Sequence, residues 1–156
     1  MPILEPALMK KDKFTAYILV AIQMISIILI LATGRPLASG IPLLIIEIAG
    51  ILLGLWAIVI MGRTTNINIA PLVKQSARLV TNGPYALIRH PMYSSVLLTI
   101  WPLIIDQYSL LRLMIGLILT VDLIVKLLFE ENRLREHFAG YEIYRRQTKM
   151  LIPFVL

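Results

Sequence analysis

The chain has 156 residues, of which 58% are hydrophobic and 15% charged, whereas soluble domains carry about 25% charged residues. That balance excludes an ordinary soluble domain and fits one membrane domain with a handful of spans. There is no cysteine, which rules out disulfides, thiolate metal sites and a cysteine nucleophile, and two histidines, His90 and His137, give little basis for a metal centre.

The net charge of +6 would suit nucleic acid, but its placement argues for a membrane. Lys10, Lys11 and Lys13 precede the first apolar run. Arg63, Lys74, Arg78 and Arg89 fill the connection after the second, and Arg133, Arg135, Arg145, Arg146 and Lys149 follow the last. Only Arg35 and Arg112 fall on the other side. By the positive-inside rule both termini and the long central connection are cytoplasmic.

In chain order, residues 1–13 read as a polar lead with Pro2 and Pro6. Residues 14–32 are a first span, closed by Thr33, Gly34, Arg35 and Pro36. The run is too long for the apolar core of a secretory signal. Residues 41–61 are a second span, with Glu47 among isoleucines and leucines, a packing glutamate that is protonated or hydrogen-bonded. Residues 62–85 are a cytoplasmic connection ending in Thr81, Asn82, Gly83 and Pro84, a turn signal because glycine admits positive φ and proline fixes its own. The apolar run 92–105 is roughly 21 Å long as a helix, short of a hydrocarbon core of about 30 Å. A third span is therefore expected over 86–105. Asp106, Gln107 and Tyr108 make a tight connection to a fourth, 110–129, so these two should form a helical hairpin. Beyond it, Leu134, Phe138 and Tyr141 recur at helical spacing among charges, which predicts an interfacial amphipathic helix in the region 130–156, with Gly140 a point of breakage. The fold expected is all-α, with about four transmembrane helices in a single domain.

Two stretches carry chemistry. Arg89, His90 and Tyr93 lie at one boundary of the third span, and Glu130 and Glu131 lie at the same boundary of the fourth. Ionisable groups at such a place mark a functional site. Asp122, Lys126 and Glu130 are spaced by four and share one face of the last span. For Asp122 the structural reading is preferred: it pairs with Lys126 so that both can be buried.

The ordered set Gly83-Pro84-Tyr85, Arg89 to Tyr93, Glu130-Glu131, Leu134, Phe138, Tyr141, Tyr144 and Ile152-Pro153 resembles the isoprenylcysteine carboxyl methyltransferase and phospholipid methyltransferase superfamily of integral membrane enzymes. The likeness covers about the C-terminal half. It implies S-adenosylmethionine as cofactor and a lipophilic small molecule or lipid as acceptor. By the same resemblance the cofactor-binding residues are Ala77, Arg78, Leu79, Val80, Tyr85, His90, Pro91, Met92, Tyr93 and Glu130, and Lys126, one turn before Glu130, meets the acceptor. Arginine is usual at that position, and a lysine holds an acceptor carboxylate or phosphate as a point charge without bidentate geometry. Ala77 stands where histidine is common, and Ser95 where glycine is usual, which crowds a helix contact.

The residues themselves suit such a cofactor. A sulfonium and an ammonium call for a carboxylate such as Glu130, and an adenine for aromatic surface such as Tyr85 and Tyr93. Glu130, Lys126 and Arg89 are the candidate catalytic groups, with Glu130 the base if the acceptor is an amine rather than a carboxylate or thiol. Two other readings stay open: an NADPH-dependent enzyme like the membrane sterol reductases, against which the two glutamates count, and a non-catalytic membrane subunit. Oligomeric state cannot be read from the sequence.

Overall fold

The computed structural model describes residues 6–64 and 78–151. All the regular structure among them is helical: α1 (Pro6–Ala32), α2 (Ile41–Thr64), a 3-10 turn (Gly83–Ala86), α3 (Pro91–Asp106), α4 (Leu110–His137) and α5 (Tyr141–Gln147). Within α1 and α2, Lys13–Ala32 and Ile41–Arg63 are long and apolar enough to cross a membrane. Phe14, Ile28, Ile41, Leu52, Leu110 and Val121 all turn outward. A continuous apolar exterior of this kind is what a bilayer, not water, solvates.

Several boundaries differ from the sequence reading, and α2 runs to Thr64 rather than 61. The first helix begins at Pro6, so most of the polar lead is helical. Proline suits a first turn, where its missing N–H has no intrahelical partner. The third helix begins at Pro91 rather than near residue 86, because a residue before proline is disfavoured in the α region. His90 accordingly sits at φ −122°, ψ 59°. At 16 residues α3 is about 24 Å long. The fourth helix does not stop at 129 but continues unbroken through both glutamates to His137. The separate helix expected from residue 130 is therefore the last two turns of α4 followed by the seven-residue α5, with Gly140 between them.

The helices alternate in direction. At one end the 33–40 and 106–109 connections are tied together: Gln107 Oε1 accepts from Arg35 N at 2.6 Å and Asp106 Oδ1 accepts from Gly40 N at 3.2 Å. Buried Arg112 donates to the carbonyls of Ile30 and Leu103, both at 2.8 Å, satisfying backbone acceptors near the ends of α1 and α3. Glu47 is buried and accepts from Ala38 N at 2.9 Å, the hydrogen-bonded packing role expected of it.

The hairpin of α3 and α4 forms, but α3 packs most extensively on α2, and α1 lies along α4. Glycines on α2 permit its close approach to α3. A Cβ on Gly50 would stand 2.8 Å from Leu98 Cβ, and one on Gly54 would collide with Ser95. Ser95 thus meets a glycine on the neighbouring helix, which relieves the crowding its hydroxymethyl would otherwise cause. Between the helices, Ile30, Ile100, Leu103, Ile104, Ile115, Leu119 and Leu123 form the main core.

Candidate active site

At the opposite end of the bundle from Arg112, the chain entering α3 meets the end of α4. The approach is set by the turn before it: Gly83 holds φ +60°, in the left-handed region that favours glycine. The 3-10 turn then buries Tyr85 against Ala57 and Val80. Beyond it Ile88 forms an isolated parallel bridge with Lys149 of the tail. Lys149 N donates to Leu87 O at 3.1 Å, Arg89 N to Lys149 O at 2.7 Å and His90 N to Met150 O at 3.1 Å. Ser94 Oγ adds a bond to Leu151 O at 2.6 Å. The tail is thereby stitched beside the residues that carry the chemistry.

His90 stands between the two glutamates. Its Nε2 lies 2.9 Å from Glu131 Oε1 and its Nδ1 3.5 Å from Glu130 Oε2. A carboxylate only accepts, so two carboxylates facing both ring nitrogens favour the imidazolium. Burial opposes that charge, but the contacts with Glu130 and Glu131 prevail and raise the His90 pKa above its usual value. The ring stacks on Tyr93, centroids 5.5 Å apart and planes within 7°.

The two glutamates, adjacent in sequence, have different surroundings. Glu131 is the hub: its Oε1 also accepts from Arg89 Nε at 2.8 Å and from Tyr141 Oη at 2.7 Å, and Arg145 Nε is 3.8 Å from its Oε2. Burial would raise its pKa. The bonds from His90, Tyr141 and Arg89 outweigh burial and hold it at about 2. Glu130 accepts from Tyr93 Oη at 3.0 Å and keeps 29% of its side chain exposed, against 5% for Glu131. Burial opposes its charge too, and His90, Tyr93 and Lys126 together hold its pKa below the usual carboxylate value. Glu131 is thus a saturated structural anion and Glu130 an ionised carboxylate with an open side.

Of the residues expected at the site, Arg89, His90, Tyr93 and Glu130 converge here. Arg89 is committed inward: besides Glu131, it donates to the carbonyls of Thr148 at 2.5 Å and Arg145 at 3.1 Å. Lys126 lies one turn deeper, 1% exposed, with its ammonium 5.7 Å from the Tyr93 ring centroid and bonded to Gln23 Oε1 of α1. Pro91 is buried at the first turn of α3, and Met92 packs on the cluster of Ala57, Val80 and Tyr85. Arg78 is exposed and Leu79 half-buried at the edge of the described chain. Ala77 and the Ile152-Pro153 pair lie outside the described residues.

The expected pairing of Asp122 with Lys126 is not formed. Lys126 turns to Gln23 and Tyr93, and both carboxyl oxygens of Asp122 are buried without a hydrogen-bond partner. The sequence reading placed Glu131 at the site without a role of its own and Tyr141 only in the family motif, and it did not single out Thr148 or Gln23. The Tyr141 and Tyr144 spacing was a usable signal, since Tyr144 Oη donates to Tyr85 O at 2.7 Å. Gln23 sits in the first helix, 103 residues from its partner, and no local pattern marks it.

The cluster fits a cationic, aromatic-bearing cofactor. Glu130 offers an ionised carboxylate with an open side, and Tyr85 Oη is a buried hydroxyl with no partner in the protein. Among the described residues no group of acidic, histidine or cysteine side chains is arranged to hold a metal ion.

The class so defined is a small all-helical protein with an apolar exterior and a buried carboxylate–imidazole cluster at one end of its bundle. Residues 36–140 match the family described as Phospholipid methyltransferase, and the chain belongs to that family. Over 72 residues it is 36% identical to a Methanethiol S-methyltransferase of Crocosphaera subtropica, a match taking in 46% of this chain and 28% of that protein. The chain thus covers little more than a quarter of the curated relative it matches. No solved structure matches it.

Proposed function

We propose that the chain transfers a methyl group from S-adenosylmethionine to a lipophilic acceptor at the cytoplasmic face of a membrane, with α1 to α4 crossing the bilayer and both termini cytoplasmic. The observation that carries this reading is the division of labour between the glutamates. Glu131 takes Arg89 and one ring nitrogen of His90, while Glu130, facing the other ring nitrogen and Tyr93, stays ionised with a side left open to an incoming cation.

The cofactor, when bound, supplies a methyl group on a positively charged sulfur, which becomes a neutral thioether as the carbon–sulfur bond breaks and the acceptor's lone pair forms the new bond. Glu130 draws the cation and Tyr93 orients that carboxylate through its hydroxyl. Tyr85, with its unpartnered hydroxyl, and the residues 78–80 beside it form the adjoining wall. Arg89 is a positioning residue, because its bonds all go to Glu131 and to tail carbonyls. Lys126 is on the acceptor side, toward α1. An acceptor that carries a proton gives it up to Glu130 or to water, and a carboxylate or thiolate needs no base. In-line placement in a site shielded from water supplies most of the acceleration such a displacement needs.

The NADPH reading finds less support. A dinucleotide phosphate needs free cations, and here Arg89 is occupied by Glu131 and Lys126 is buried against Tyr93 and Gln23. Calorimetric titration of S-adenosylmethionine, and separately NADPH, into detergent-purified protein tests the proposal. Micromolar binding of the first, lost in Glu130→Gln, is expected; binding of NADPH alone, or of neither, overturns it.

A further inference from the structure

The tail that begins with α5 has an occupied inner face and an open outer one. Tyr141, Tyr144 and Thr148 are buried, and the carbonyls of Arg145 and Thr148 hold Arg89. Turned outward on the same stretch are Ile143, 67% exposed, Arg146 and Lys149. Lys149 N donates to Leu87 O at 3.1 Å, which sets the lysine beside Leu87, itself 55% exposed. Apolar side chains and cations thus lie together on the outside of a segment whose inside closes the site.

These charges are not neutralised locally. Glu142, the acidic residue of α5, is taken by Arg135 at 3.0 Å and by Arg145 at 3.6 Å, and Arg145 also faces Glu131 at 3.8 Å. Arg146 and Lys149 form no ion pair with another described residue. The far end of the bundle has no such excess. Arg35 stands there with Asp106 in one junction, and Arg112 is buried on backbone carbonyls.

Leu87 precedes the first turn of α3 by four residues, so the patch borders the apolar exterior that a bilayer solvates. A headgroup layer meets both of its needs: apolar side chains reach the acyl boundary, and basic ones meet phosphates. We propose that the outer face of the tail, Ile143, Arg146 and Lys149 together with Leu87, docks on anionic lipid headgroups of the surrounding leaflet. Because the inner face of the same segment holds Arg89, and through it Glu131, lipid on the outside latches the site from behind. A charged leaflet favours the closed tail, and a neutral one lets it lift more often. Docking of this kind requires the membrane placement of this end of the bundle that the methyltransferase reading includes, but not methyl transfer itself.

The test is hydrogen exchange on the full chain in nanodiscs of phosphatidylcholine alone and of phosphatidylcholine mixed with phosphatidylglycerol. The reporter is the backbone amide at position 149, whose bond to Leu87 O breaks when the tail lifts. A pair of basic side chains at a charged surface should slow its exchange roughly thirtyfold in the mixture, and raised salt should erase the difference. Arg146→Gln combined with Lys149→Gln should exchange in the mixture as it does in phosphatidylcholine, whereas Arg35→Gln, at the far end, should keep the full effect. Ile143→Ser should speed exchange in both lipids. Equal exchange of wild type in the two lipids, which is also what docking of an acidic protein instead of lipid predicts, overturns the proposal. So does a lipid difference indifferent to salt, or one that survives the double substitution. No S-adenosylmethionine is added, so failure of the methyl-transfer reading leaves the lipid result standing.

Discussion

Replacing Glu131 by glutamine is the sharpest probe of how the site is held together. The substitution keeps the shape and removes the charge that Arg89, His90 and Tyr141 share. Two routes give its size. Holding the carboxyl at about 2 rather than at 4.5 corresponds to roughly 3 kcal/mol at about 1.4 kcal/mol per pH unit, and breaking a buried ion pair by neutralising one partner costs about 3–5 kcal/mol. Because the folded-state pKa is depressed, this contribution is fully present above the ordinary carboxylate value of 4.5 and is lost progressively as pH falls from there through about 2. At neutral pH it is therefore whole. Arg89 is also bonded to the carbonyls of Arg145 and Thr148, so the loss should appear first as release of the tail. About 3 kcal/mol corresponds to roughly a hundredfold rise in the open population. Limited trypsin cleavage at Arg145, Arg146 and Lys149 reads this directly, alongside the melting temperature in detergent. Glu131→Gln should be cut much faster than wild type or Glu130→Gln. A tail equally protected in all three, with unchanged melting, would refute the hub role.

Two further outcomes follow from the same geometry. The raised His90 pKa means that its pairing with Glu130 and Glu131 contributes stability fully below its ordinary value near 6.5 and loses it as pH rises through the raised one. The melting temperature of wild type should accordingly fall on the alkaline side, and His90→Asn should flatten that limb; an unchanged limb would contradict the imidazolium assignment. Tyr85→Phe removes a buried hydroxyl that has no partner, so the protein without cofactor should be as stable as wild type or slightly more so. S-adenosylmethionine affinity should drop, and calorimetry that finds it unchanged would exclude the hydroxyl from the cofactor site.

Helix number, the apolar runs and the meeting of Arg89, His90 and Tyr93 with the glutamate doublet were legible in the sequence, because hydropathy and helical spacing are local properties. Tight connections force neighbouring helices to run antiparallel, which brings residues 37 to 42 positions apart to one end of the bundle. Family membership was legible for the same reason: its motif residues lie in short, ordered segments. What depended on tertiary structure was every choice between chemically equivalent partners. Glu130 and Glu131 are identical and adjacent, yet a helix turns successive side chains by about 100°, and only the packing of the tail decides which one is enclosed. Lys126 had carboxylates one turn away on either side and bonds to Gln23 of α1 instead, leaving the Asp122 oxygens without a hydrogen-bond partner. Spacing along one helix tells which groups share a face; it carries no information about which neighbouring helix supplies the competing partner, and burial makes that competition decisive.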